Sequence, residues 1–134
     1  MPDSRTIVFV LHGMTFEYDE EKNRINIQKH GISFRSAARV FFDYDRIEMY
    51  DEKNSQDEDR YDTIGDTSAG NVSAGSTIIG NISCSDRMIN DILFVVYTER
   101  KRIEEDGNVT EVTRLISARM ATNFERGLYY GKYV

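Results

Sequence analysis

Cysteine is nearly absent: Cys84 stands alone among 134 residues, which excludes an internal disulfide and a thiolate cluster for zinc and suits the reducing cytoplasm. Long apolar runs are missing as well. Ile7 to Leu11 is far shorter than the ~20 residues a bilayer-spanning helix needs, and it carries neither the basic stretch nor the cleavage site of a secretory signal. No membrane role is therefore expected. Histidine is sparse, and His12 has no second His or Cys ligand nearby, so neither a metal nor a cofactor is expected. Positive charge is also in deficit. A net charge of −6 repels nucleic acid, whose binding proteins are usually basic. The deficit is local, however. Residues 43–66 hold ten acids and three bases, whereas residues 20–40 hold two acids and five bases. With 40% hydrophobic residues, a chain of this length has enough apolar material for one core, so a single domain over 1–134 is expected.

What is present reads as an ordered set of elements. Thr6 to Leu11 is β-branched and apolar, and Phe16 to Tyr18 is a second extended stretch that ends at Asp19. Asp19 is a good N-cap, Glu20 and Glu21 suit the positive end of a helix dipole, and Gly31 suits a left-handed terminus after Lys29 and His30. A helix from Glu20 to His30 follows. Ser33 caps a second helix in which Phe34, Ala37, Ala38 and Phe41 form an apolar stripe. Strands are expected over Arg46 to Tyr50, Arg60 to Gly65, Ile92 to Thr98 and Glu111 to Met120. Ile92 to Thr98 is expected to be buried on both faces, and Asp106-Gly107-Asn108 supplies the turn into the last strand. Thr122 and Glu125 make a capping box for a C-terminal helix that ends near Tyr129 and Tyr130. The fold class is α+β: an antiparallel sheet of about four to five strands, two N-terminal helices and one C-terminal helix.

Between Asp66 and Asp91 the composition turns to Gly, Ser, Asn and Thr, with the near repeat Ser68-Ala69-Gly70 and Ser73-Ala74-Gly75. The segment reads as an insertion, disordered at its start and with room for a small hairpin through Thr77 to Ile82.

Specific residues carry a resemblance. They are Phe16-Glu17-Tyr18-Asp19, Lys22, Asn26, Lys29-His30-Gly31, Phe34, Ala37-Ala38 and Phe41. Further along come Asp51, Arg60-Tyr61, Ile64-Gly65, the run Leu93 to Thr98, and the run Arg114 to Thr122 followed by Glu125. In this order and spacing the chain resembles the BrnT family of type II toxins over residues 15–130. The resemblance implies a RelE-like fold, ribonuclease activity, RNA as substrate, and neutralisation by a BrnA-like ribbon-helix-helix antitoxin through which DNA is contacted only indirectly. Members of that family usually begin just before the Phe-Glu-x-Asp segment. Residues 1–14 are accordingly an extension, and Met14 stands where a start is expected. If the extension is native structure, Thr6 to Leu11 should add an edge strand.

Cleavage of RNA without a metal requires a base for the 2′-hydroxyl, cations for the charged phosphorane and an acid for the leaving oxygen. Lys29, His30, Arg60 and Arg119 are the candidates, with His30 or Lys29 as base and Arg119, supported by Arg60, stabilising charge. Lys22, Asn26 and Tyr97 are candidate substrate contacts. Lys22, Asn26, Lys29 and His30 share an arc of about 100° on a helical wheel. Strict alternation places Arg119 with Leu115 and Ser117 on one face of the last strand, opposite Val112, Arg114, Ile116 and Ala118. Each candidate has a plainer reading. Lys29 and His30 suit a helix C-terminus, Arg60 has acidic neighbours to pair with, and Glu125 is explained by its capping box. A second function class also stands, favoured by net charge: a non-catalytic acidic partner of a basic DNA-binding regulator.

Overall fold

The computed structural model describes residues 4–68 and 91–131. Thr6–Leu11 (β1) and Met14–Asp19 (β2) pair antiparallel around His12 and Gly13, whose φ values of 49° and 82° turn the chain. Two successive positive φ angles give the twist that a two-residue hairpin needs. Asp19 then leaves the strand, and its carboxylate accepts the Lys22 N–H at 2.9 Å, opening Glu20–His30 (α1). Gly31, at φ 72°, closes that helix. Ser33 caps Phe34–Ala37 (α2), and from Ala38 the chain tightens into a 3₁₀ turn, Ala38–Phe42. The expected apolar stripe is intact, since Phe34, Ala37, Ala38 and Phe41 are all buried.

The remaining strands are Ile47–Tyr50 (β3), Tyr61–Asp66 (β4), Ile92–Ile103 (β5) and Val109–Met120 (β6). Asn123–Tyr129 (α3) follows, with both halves of the Thr122–Glu125 capping box formed. The sheet has six strands in the order β1-β2-β6-β5-β4-β3. Two expectations are corrected here. The sheet exceeds four to five strands because β1 pairs along its whole length with β2 and takes an edge position, as expected of a β-branched stretch. It is also mixed, because β2 runs parallel to β6 through Thr15–Val112, Phe16–Thr113 and Glu17–Arg114. The hairpin at Asp106-Gly107-Asn108 is as expected, with Gly107 at φ 88°. The proposed hairpin through Thr77 to Ile82 lies outside the described residues. The described ends of that segment are tied together, Thr67 N–H donating to the Asp91 carbonyl at 3.1 Å.

One face of the sheet carries the core. Phe16, Tyr18, Leu93, Val95, Tyr97, Leu115 and Ala118 pack against Ile32, Phe34, Ala37, Ala38, Val40 and Phe41. α3 belongs to the other face, and buried Asp43 anchors its end. The Asp43 carboxylate accepts the Tyr129 hydroxyl and the Asp66 N–H at 2.5 and 2.8 Å.

Candidate functional site

Strand register places a specific set of side chains opposite the core. Residues directly across a ladder point to the same face, so Ile47, Ile64, Phe94 and Arg119 form one row. Met49, Asp62, Val96 and Ser117 form the next, and Thr98, Arg114 and Glu17 a third. Arg60 and Asp51 extend the β3–β4 ladder by one pair, the Asp51 N–H donating to the Arg60 carbonyl at 2.8 Å. By alternation both stand on the face of Met49 and Asp62. α3 packs against β4 at one end of this face, and Asp62, Val96, Ser117, Arg114 and Arg119 are half-buried.

Arginines and carboxylates alternate across the face. Arg119 lies 4.2 Å above the Phe94 ring and grips Glu125 with two bonds of 2.7 and 3.0 Å. That bidentate pair raises the Arg119 pKa and lowers that of Glu125. Glu125 therefore does more than cap α3: it holds the Arg119 fork in one orientation. Arg114 donates to Glu17 at 2.7 Å, and Arg100 spans Glu17 at 3.7 Å and Glu58 at 3.1 Å. Arg60 makes no ion pair with a neighbouring acid among the described residues. Its nearest electrostatic influence is on Asp51, whose ionised form it favours.

Asp62 is the unusual group. Burial, reinforced by a hydrogen-bonding contact with the Asp51 carboxyl and by that neighbour's charge, pushes its pKa up to about 7, against the opposing pull of Arg119. Asp51 moves the other way. Its carboxylate is held below the ordinary range chiefly by the Asn54 side chain, which reaches both oxygens at 3.1 and 2.9 Å. Asp62 is thus the member of the pair that takes the proton.

The residues expected from sequence divide into two groups. Arg60 and Arg119 share the open face, two ladder rows apart with the row of Asp62 between them. Lys22, Lys29 and His30 are exposed on α1, which meets the edge of β6, and no hydrogen bond or ion pair joins them to either arginine. The helical arc that suggested a shared basic face is centred on Asn26, which is turned inward. Asn26 is 6% exposed, and its amide donates to the carbonyls of Ile32 and Ala118 while accepting the Ala118 N–H. Tyr97 likewise points into the core, packed on Phe41, with its hydroxyl donating to Glu48. The expected facing of β6 also changes. An irregularity between Val96 and Tyr97 shifts the register from Val96–Ser117 to Tyr97–Leu115, so Leu115 joins Ala118 inside while Arg114 joins Ser117 and Arg119 outside.

Sequence reasoning missed Asp62, Arg114 and Glu17. Asp62 was findable, because it follows Arg60 by two residues in a strand and must share its face. Arg114 was hidden by the bulge. Among the described residues, no group of three or more His, Cys, Asp or Glu side chains is placed to hold a metal ion, and no helix is long and apolar enough to cross a membrane.

Compared with models of known protein families, residues 18–89 match the one described as ribonuclease toxin, BrnT, of type II toxin-antitoxin system. The match covers more than half of the 134 residues, including α1, β3, β4 and Arg60, and ends before Arg119. No curated protein matches the chain.

Proposed function

Because this chain belongs to the BrnT family, the ribonuclease toxins of type II toxin–antitoxin systems, we propose that it cuts RNA on the open sheet face by in-line attack of the 2′-hydroxyl, without a divalent metal. One observation carries this reading: Arg60 and Arg119, distant in sequence, flank the same half-buried patch of that face. A phosphorane intermediate gathers negative charge on its non-bridging oxygens, and guanidinium groups fixed in place stabilise that charge without reorganising during the reaction. Phe94 and Glu125 fix Arg119 in this way. The net charge of −6 does not oppose this, because the repulsion of distant acids is screened within about 8 Å at physiological salt. Lys29 and His30 are exposed on α1 and make no hydrogen bond or ion pair with Arg60 or Arg119, so the base is sought on the open face itself.

The expected products are a cyclic 2′,3′-phosphate and a 5′-hydroxyl. Cleavage should continue undiminished in excess chelator, and a 2′-deoxy sugar at the cut site should resist. Gel analysis of end-labelled fragments checks both points. Loss of activity in chelator, or equal cutting of the deoxy substrate, overturns the reading.

The antitoxin that a type II toxin requires is, in this proposal, a basic ribbon-helix-helix protein of the BrnA kind that carries the DNA contacts. Asp45, Glu52, Asp57 and Asp59 are exposed along the acidic stretch and offer it a complementary surface. Charge complementarity of this kind accelerates encounter more than it adds affinity. The association rate should fall about tenfold or more between low and high ionic strength, measured by stopped-flow mixing. An unchanged rate removes the electrostatic part.

A further inference from the structure

Lys29 and His30 make no hydrogen bond or ion pair with Arg60 or Arg119, whereas the open face itself carries a carboxylate between the two arginines, suited to receive the 2′-hydroxyl proton. Asp62 sits between the Arg60 pair of the ladder and the row that ends in Arg119. One of its oxygens, Oδ1, is buried and has no hydrogen-bond partner. A buried acceptor without a donor is costly, by roughly 1–3 kcal/mol, and is a reason to look for the donor that a substrate would bring. Its carboxyl lies beside that of Asp51, which is itself immobilised by Asn54.

We propose that Asp62 is the general base of RNA cleavage, with Asp51 as the positioning residue that stabilises its protonated form. This rests on the reading that the open face is the active face. Ionised Asp62 accepts the proton of the ribose 2′-hydroxyl as the 2′-oxygen forms its bond to phosphorus. The bond from phosphorus to the 5′-oxygen breaks, and that oxygen takes its proton from water. The new acid on Asp62 donates a hydrogen bond to the Asp51 carboxylate, then returns its proton to solvent. Arg60 and Arg119 neutralise the phosphate between these events. The charged groups facing Asp62 are Asp51 beyond β3, Arg60 preceding β4, Arg119 on β6 and Glu125 on α3. Met49, Val96 and Ser117, its neighbours across the ladders, are uncharged. A base whose pKa is raised to about 7 is matched to neutral pH, because it is both substantially ionised and strong enough to take the proton.

The test is single-turnover cleavage, by the purified full chain, of an oligoribonucleotide spanning a site that the wild type cuts in total RNA. The base acts only when ionised, so the wild-type rate should fall tenfold per pH unit below about 7 and level off above it. Asp62→Asn should be about 100-fold slower or more and should lose that acidic limb. Asp51→Asn should stay active with the limb moved to lower pH, since one neighbour that favours the protonated form is gone. The Asp51 variant keeps the test decisive even if the Asp62 variant misfolds. Replacing the bridging 5′-oxygen by sulfur, a leaving group that needs no proton, should not rescue Asp62→Asn. Rescue by sulfur, an unchanged limb in either variant, or a wild-type rate in Asp62→Asn overturns the assignment. If instead a 2′-deoxy substrate is cut, or Arg119→Ala cleaves like the wild type, the reading of the face itself has failed.

Discussion

Arg119→Ala is expected to lose cleavage by about 100-fold or more while leaving the fold intact. Arg119 carries five N–H donors, and three are engaged, two by Glu125 and one by the Met120 carbonyl at 3.2 Å. What remains among the described residues is the Nε–H and the second Nη2–H, adjacent donors that suit a phosphate's two oxygens. The ion pair to Glu125 is partly exposed, with the arginine side chain at 37%, so its loss should cost about 1 kcal/mol of stability or less. The two effects therefore separate. In vitro rates and growth arrest on expression without the antitoxin should both collapse, while circular dichroism and the melting temperature barely change. Arg119→Lys keeps the charge but loses the planar fork, and should recover only part of the rate. An alanine variant that still arrests growth removes Arg119 from the machinery.

Asn26→Ala is expected to fail in the opposite way, by unfolding rather than by slow chemistry. α1 is nearly all exposed, and Asn26 is its one buried residue. Its amide satisfies the Ile32 and Ala118 carbonyls at 2.9 and 2.8 Å and the Ala118 N–H at 3.1 Å. Truncation strands three backbone groups in a site too buried for easy hydration. At about 1–3 kcal/mol for each unsatisfied group, the loss should reach about 3 kcal/mol or more, and the melting temperature should drop by roughly 10 °C. Urea denaturation measures it directly. A variant with wild-type stability and weakened RNA binding would return Asn26 to the substrate-binding role that its sequence position suggested.

The two arginines show how much of the site could be read in advance. Arg60 and Arg119 were nameable because a phosphate-handling site needs cations, and both stand in strands whose apolar neighbours mark them as ordered. Lys29, His30 and Lys22 met the same chemical requirement and shared a helical arc, yet the residue at the centre of that arc, Asn26, is the one that docks on the sheet. Chemistry selected candidates, but it held no information about which side each element would cover. Asp62 was obscured for a further reason. In sequence it is one of several acids around Arg60, and only burial beside Asp51 distinguishes it.

The elements themselves were determined locally. Asp19 and Ser33 cap their helices, Gly31 ends α1, Gly107 turns the hairpin, and Thr122 with Glu125 opens α3. Each of these acts through hydrogen bonds and backbone angles within a few residues, so sequence suffices. The tertiary structure alone decided the parallel pairing of Thr15–Glu17 with Val112–Arg114, the inward turn of Asn26 and Tyr97, and the bulge that brings Arg114 out beside Arg119. Those outcomes depend on contacts between residues nearly a hundred positions apart. No short stretch encodes them, because the cost of closing so long a loop is met only when the whole sheet and its helices bury their apolar faces together.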